Sequence, residues 1–388
     1  MNAVIVGWGH TPFGKLDALD LEQLIVMASR EALAHAGISG ADVDAVWLGH
    51  FNSGLLRDGF CSSMILAADD GLRFKPATRC ENACASGAAA IYAALDAVNS
   101  GRCKIALVVG AEKMTALDTP GVTRALGGAA YQREEADLSF PQIFARFATA
   151  YRDAYGDPTE AMARIAVKNH ANAMRNPLAQ LRRTIDLDFC MTVSEKNPLI
   201  ADPLKLTDCS LISDGAAALV IAHRDLLADF PRAVGFRAAE QVNDLLPLSA
   251  KRLERFEGPG RAIRQAYDRA GVTVDDLGLA EVHDCFTIAE LLAVEALGLA
   301  PPGQGREVVC EGQTQRDGRL PINLSGGLKA KGHPVGATGV SMHVMLARQL
   351  LGEAGEMQLE RRPELGLCLN MGGGAVASAV SILEPVKG

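Results

Sequence analysis

The sequence predicts an α/β protein made of two similar halves, with a mostly helical segment inserted in the first. Three observations carry this. Apolar strand-like runs alternate with amphipathic helical stretches up to about residue 110. Residues 115–204 interrupt the alternation with polar helical stretches and the turn signals Asn176-Pro177 and Asn197-Pro198. Beyond them the same order of helix, apolar strand and glycine appears again. Alternating helices and strands favour a parallel or mostly parallel sheet covered on both faces.

Taken in order, residues 2–8 read as a buried strand. Leu21 to Ala36 reads as an amphipathic helix with Gly37 as its C-cap, and residues 44–50 as a second strand. Next comes the small-residue stretch Arg79-Cys80-Glu81-Asn82-Ala83-Cys84-Ala85-Ser86-Gly87, followed by a helix from Ala88 to Val98 and an apolar strand over 104–110. Strand character returns at Ser213 to Ile221. The second half offers a strand from Leu279 to His283, a helix near Ile288 to Ala296 and the short run Pro321-Ile322-Asn323-Leu324. A glycine-rich segment, a helix near Gly339 to Leu351 and a strand over 365–370 ending at Gly372-Gly373-Gly374 complete it. The expected division is 1–114 for the first half, 115–204 for the insertion, 205–235 for the first half resumed and 236–388 for the second half. A ligand cleft is expected where the two halves meet.

The chain has 388 residues, 48% hydrophobic and 22% charged, which is an ordinary globular composition. A net charge of −8 argues against a nucleic-acid or anionic-membrane surface. The apolar runs are too short to span a membrane. The 9 cysteines, with no C-x-x-C pair and no zinc-like His/Cys spacing, fit a reduced cytoplasmic compartment and argue against a structural metal. The opening Met1-Asn2-Ala3-Val4-Ile5 enters a strand with neither a basic region nor a cleavage site, which fits the same expectation.

Four stretches carry candidate chemistry. Cys84 stands where an irregular segment becomes a helix N-terminus; free amides and the helix dipole there favour a thiolate and would lower its pKa. Cys84 is thus a candidate covalent nucleophile, the alternative being a buried structural cysteine. His283-Asp284-Cys285-Phe286 lies at the C-terminal end of a buried strand, where ligands bind in α/β sheets, and offers an acid/base set, the alternative being a polar strand end with a half-buried cysteine. His333 is held between Gly332 and Pro334 in the loop Ser325 to Gly339; Pro334 restricts it to extended geometry, making it the best-constrained base for Cys84. Glycines after Asn370 could aim backbone amides at an oxyanion, or simply form a tight turn.

Together these stretches resemble the thiolase superfamily. Glu81 to Gly87, Ser213-Asp214-Gly215-Ala216-Ala217-Ala218, His283 to Phe286 and Ser325 to Gly339 occur in thiolase order. The chain looks most like the branch of sterol-carrier-protein-type and archaeal thiolases, which carry the His-Asp-Cys-Phe motif. Lys168-Asn169-His170-Ala171-Asn172-Ala173 and Asp202-Pro203-Leu204 look like the same branch.

The resemblance implies duplicated α/β/α/β/α layers with an inserted loop domain. It also implies coenzyme A as acyl carrier, with acyl-CoA as substrate and no tightly bound cofactor, and a homodimer or homotetramer. By motif, Cys84 would take the acyl group and His333 would activate it. Cys285 would handle the α-proton of the second acyl group, and His283 would hold a catalytic water. His333 would help polarise a thioester oxygen in the first oxyanion hole, and the amides of Cys84 and Gly372 would form the second. Ser210 matches a serine near the pantetheine arm. Arg182 and Arg183 are candidates for the cofactor phosphates, the alternative being a solvated helix face. Better-known thiolases have a cysteine where this chain has Asn370; Cys285 is expected to replace it, with Cys368 as a second candidate on the same strand face. The implied activity is ping-pong acyl transfer, either Claisen condensation or thiolytic cleavage. The rivals are an acyltransferase working with a small OB-fold partner and a non-catalytic thiolase-like binding protein.

Overall fold

The computed structural model describes all 388 residues. The first half begins with β1 (Ala3–His10), α1 (Leu21–Ala36), β2 (Ala45–Gly49), β3 (Ala77–Cys80), α2 (Ser86–Asn99) and β4 (Ile105–Lys113). Helix α1 is fixed at both ends. Asp20 and Gln23 form a reciprocal capping box, and Gly37 closes the helix at φ 75°, a left-handed geometry that glycine adopts without a Cβ clash. Its buried face repeats at helical spacing through Leu21, Leu24, Ile25, Ala28, Ala32, Leu33 and Ala36.

The segment after β4 folds as α3 (Thr119–Gly127), α4 (Gln132–Glu135), α5 (Phe140–Tyr155), α6 (Thr159–Ala173), α7 (Leu187–Met191) and the small pair β5 (Leu199–Ala201) and β6 (Leu204–Lys205). The sheet resumes with β7 (Asp214–His223) and β8 (Ala233–Asn243). The second half adds α8 (Glu257–Ala270), β9 (Leu279–Val282), α9 (Thr287–Ala296), α10 (Gly305–Cys310), α11 (Thr338–Leu351), β10 (Gly366–Gly372) and β11 (Ala377–Lys387).

Nine strands form one continuous sheet in the order β3-β2-β4-β7-β1-β8-β11-β10-β9. β1, β2, β3, β4 and β7 fall before residue 225, β9, β10 and β11 after residue 278, and β8 crosses the expected boundary at 235. The seam is β1 against β8, paired at Val4↔Gly235 and Ile5↔Val234. The sheet is mixed, not mostly parallel. Only β2–β3, β2–β4 and β9–β10 run parallel. The reason is where the insertion is rooted. The chain leaves β4 at Lys113 and returns at Asp214, and these two residues are paired across the sheet, so β7 must run back against β4. The root is tied by Asp214, whose carboxylate takes Lys113 Nζ at 2.7 Å, the amides of Met114 and Thr115 at 2.8 Å each, and Thr115 Oγ1 at 2.6 Å.

Strand alternation sorts the core onto two faces. Val4, Val6, Leu107 and Val109 pack with α1 on one side. Ile5, Ala106 and Val108 join α2, α11 and the inserted helices on the other. On that second side the two helices that follow the glycine-rich turns lie against each other. A Cβ on Gly87 would sit 2.8 Å from Gly336 O and 2.9 Å from Val340 N, and one on Gly339 would sit 2.5 Å from Ala88 N. Only glycine permits this approach, and it brings the loop before each helix into one place. No helix is long and apolar enough to cross a membrane.

Candidate active site

The nucleophile turn is built by local hydrogen bonds. Ser86 Oγ accepts from Asn82 N at 2.9 Å and donates to Ala83 O at 2.6 Å, while Glu81 Oε1 accepts from Ala83 N at 2.6 Å. These contacts hold Ala83 at φ 49°, a left-handed conformation that costs a non-glycine residue about 1–3 kcal/mol. The strain falls on the residue immediately before Cys84. From the other half, β10 comes close enough that a Cβ on Gly372 would lie 2.3 Å from Asn82 O.

Three groups meet there. Cys84 Sγ, a nitrogen of His283 and a nitrogen of His333 all lie within 4.8 Å of one another. The two imidazoles stand edge to face, with ring centroids 5.1 Å apart. His333 donates its backbone N–H to Ser213 Oγ at 3.0 Å, and its Nδ1 lies 2.7 Å from Thr338 Oγ1. Thr338 Oγ1 gives its single proton to Pro334 O at 3.0 Å. It must therefore accept from His333, so Nδ1 carries the hydrogen and Nε2 keeps the lone pair. His333 thereby presents a base to the sulfur.

The electrostatics correct one expectation. The helix end does not give Cys84 a low pKa. Burial, then the Glu112 carboxylate, push its thiol up to about 12; hydrogen bonds from the amides of Gly373 and of Cys84 itself pull the other way and lose. Burial, helped by Lys331, drives His333 down to about 3. Both partners rest neutral. The amide reaching the sulfur is that of Gly373, next to the Gly372 singled out from sequence. Glu112 is held in place by Phe51 N, Asn52 N and Gly336 N at 2.9, 3.0 and 3.1 Å and by His50 at 3.0 Å.

Cys285 is buried, and its thiol is raised by burial first, then by the thiol of Cys84 and the carboxylate of Asp284. Its carbonyl accepts from Ser210 N at 2.9 Å, and Cys209 pairs with Phe286, so the Ser210 segment lies directly along the His-Asp-Cys-Phe stretch. Asp284 faces inward. It accepts from Leu328 N, Lys329 N and Asn169 Nδ2 at 2.6, 3.2 and 2.7 Å, and burial beside Glu290 raises it to about 7. Its role is to bind the glycine-rich loop to the strand end. Beneath it, Lys168 Nζ meets Glu290 Oε1 at 2.9 Å, and both side chains are buried. Asn169 and Asn323 each donate to Glu290 Oε2 at 2.8 Å.

Asn370 projects from β10 into the same site. Its Nδ2 lies 3.1 Å from Cys84 O and 3.1 Å from His283 Nδ1, while Oδ1 makes no hydrogen bond within the chain. A buried unpaired oxygen costs about 1–3 kcal/mol. Cys368, two residues back, is sealed in the core beside Lys331 and Glu281, with its thiol raised by burial. Arg182 and Arg183 are exposed on an irregular segment, not on a helix face, because the chain after α6 is bound to the Lys331 loop through Gln180 N and Leu181 N, at 3.0 Å each. Thr338, Ser86, Glu81 and Asn169 escaped the reading of the sequence. The short spacing of His333 and Thr338, and of Cys84 and Ser86, was the available signal. All nine cysteines are free thiols.

Cys84, His283 and His333 have the donor types of a zinc site. With both Nδ1 atoms engaged, the nitrogens left to face the sulfur are the two Nε2 atoms, and a metal would need lone pairs on both.

Comparison with known proteins places this geometry. Residues 3–225 match the family profile described as thiolase, N-terminal domain, and residues 244–385 the one described as thiolase C-terminal domain-like. The chain is 38% identical over 387 residues to an acetyl-CoA acetyltransferase of Methanothermobacter thermautotrophicus, covering 99% of both. It is 32% identical to human sterol carrier protein 2, over 96% of this chain and 70% of that one. The solved Ltp2-ChsH2(DUF35) aldolase superposes with a TM-score of 0.83 at 24% identity, over 99% and 97% of the chains. The two profiles lie on either side of β8, and by these matches the chain belongs to the thiolase superfamily, in the branch shared by archaeal acetyl-CoA acetyltransferases and sterol carrier protein 2.

Proposed function

We propose that the chain is an acetyl-CoA C-acetyltransferase that works through a cysteine acyl-enzyme. The observation that carries this is the meeting of Cys84, His333 and His283 within 4.8 Å at the seam of the two halves. The near full-length likeness to an archaeal enzyme of that name supports the acetyl group and coenzyme A as carrier.

Cys84 Sγ attacks the thioester carbon as His333 Nε2 takes the thiol proton. The C–S bond to coenzyme A breaks, and the same proton leaves with the coenzyme A thiol. A neutral resting pair makes His333 a general base that acts during attack, not the keeper of a preformed thiolate. Once protonated, His333 donates to the developing oxyanion; the amides of Cys84 and Gly372 serve the second hole. Cys285 hands its thiol proton to His333 as it takes the α-proton of a second acetyl-CoA; the carbanion attacks the acyl-enzyme carbonyl, the C–S bond to Cys84 breaks, and Cys84 takes the proton back from His333. Ser210 lies along the pantetheine arm, and Arg182 and Arg183, both exposed, are the candidates for its phosphates, Arg182 giving up its bond to Met174 O to do so. A homodimer or homotetramer fits β3, which lies at the open end of the sheet with a partly exposed strand.

The test is intact-protein mass spectrometry after incubation with acetyl-CoA. An acetyl adduct that disappears in Cys84→Ala supports the reading; an adduct that persists on another residue overturns it. Cys285→Ala is expected to acylate and fail to condense, and full turnover in that variant removes Cys285 from the mechanism. The second reading is transfer to another acceptor with a small OB-fold partner; the name of the solved Ltp2-ChsH2(DUF35) aldolase, a complex of two proteins, supports only that a partner is bound. This reading predicts co-purification of such a partner and no turnover by the chain alone.

A further inference from the structure

The function proposed above needs a hydrogen-bond donor opposite the base, and nothing in it says what makes one of two chemically identical imidazoles a donor and the other an acceptor. We infer that Asn370 is the positioning residue that sets this difference, by locking His283 as the Nε2–H tautomer. The inference rests on the acyl-transfer reading for its catalytic consequence, but not for the tautomer itself.

The argument is a chain of obligatory donors and acceptors. Cys84 O is a carbonyl and can only accept. The end of the Asn370 amide that lies 3.1 Å from it must be the NH2. That same nitrogen lies 3.1 Å from His283 Nδ1, and its second hydrogen points there. His283 Nδ1 must therefore hold a lone pair. Burial, and the neighbouring His333, keep the ring neutral, so its one hydrogen sits on Nε2. The opposite logic applies to His333, whose Nδ1–H is held by Thr338 Oγ1. The site therefore presents one lone pair and one N–H to the same small space. The lone pair takes the proton of Cys84, and the N–H meets the thioester oxygen or the water that touches it.

Asn370 can hold this position because Gly339 has no side chain: a Cβ there would lie 2.4 Å from Asn370 Oδ1. The oxygen end of the amide is left without a partner, so the side chain is retained for what its nitrogen does. The chain of bonds begins at the nucleophile's own carbonyl. The orientation of the donor is thereby keyed to the residue that receives the acyl group.

The test reads the tautomer directly. In protein labelled with 15N-histidine, His283 is assigned by loss of its signals in His283→Asn. The full-length wild-type protein is expected to show Nε2 protonated and Nδ1 bare. In N370D the carboxyl group offers an acceptor, and the signals should invert to Nδ1–H. In Asn370→Ala both tautomers should appear. The rate of acyl-enzyme formation from acetyl-CoA in N370D should fall about 100-fold with little change in KM, as for loss of one oxyanion donor. Nδ1–H in the wild type, or full retention of Nε2–H in both variants, overturns the lock. An inverted tautomer with an unchanged rate overturns its part in the chemistry. Absence of any acetyl adduct on wild-type Cys84 would instead defeat the proposed function while leaving the tautomer result standing.

Discussion

Thr338 Oγ1 lies 2.7 Å from His333 Nδ1 and passes its own proton to Pro334 O. One hydroxyl, placed at the first residue of α11, thus decides which nitrogen of the base is free. Thr338→Val should leave the fold intact and lower the acylation rate about 10- to 100-fold, with KM little changed. Thr338→Ser should restore most of it. The rate of coenzyme A release in the first turnover is the measurement.

The Cys84 thiol, pushed up to about 12, predicts slow modification at rest. Iodoacetamide labelling of Cys84 should climb with pH through pH 9 without a plateau. A plateau below pH 7, read by mass spectrometry of the Cys84 peptide, would mean a thiolate already formed.

Acid should unfold the protein earlier than its carboxylates alone would require. Burial holds His333 near 3 and His170 and His343 near 4, and pushes His10 and His283 well below their usual value. Below about pH 6.5 the unfolded chain binds protons at these rings that the native state refuses, so stability falls as pH falls. Asp284, raised to about 7, Glu281 and Glu295, also raised, and His50, raised to about 10 beside Glu112, act in the opposite sense, because the native state holds their protons longer. Between pH 7 and pH 5 the five lowered histidines outweigh these four groups. The melting temperature should drop steadily from pH 7 to pH 5, and a flat profile would contradict the neutral assignment.

Lys168 and Glu290 are both buried in contact with each other. Lys168→Met leaves an unpaired carboxylate and should cost about 3–5 kcal/mol in urea unfolding. Adding Glu290→Leu should recover part of the loss, though Asn169 and Asn323 would then lack their acceptor. A double variant no more stable than the single would mean that those amides, not the charge, dominate.

Much of this was open to reading along the chain. Helix α1 announces both its ends, through Asp20 and Gln23 and through Gly37, because caps are local chemistry. Cys84, His283 and His333 each stand in a distinctive local context, and the structure brings them together. What the chain does not record locally is the charge, strand direction and segment shape that distant neighbours set. The acidity of Cys84 was judged from the helix behind it, whereas burial and Glu112 decide it. The direction of β7 depends on the insertion returning beside Lys113, which no local pattern records. The segment of Arg182 and Arg183 is straightened by the Lys331 loop, far along the sequence. Asn370 looked like a missing thiol until its two partners were in view.

The contact of Gly87 with Gly336 and Val340 is backbone against backbone, and the sheet runs unbroken across the same boundary through β1 and β8. Such a joint has no hinge. Nucleophile and base ride on one rigid block, and the enzyme has no clamshell with which to swallow its substrate. The thioester must therefore reach Cys84 without one half closing over the other, and any sorting of acyl tails is left to fixed side chains around the nucleophile turn and not to a movement of the halves.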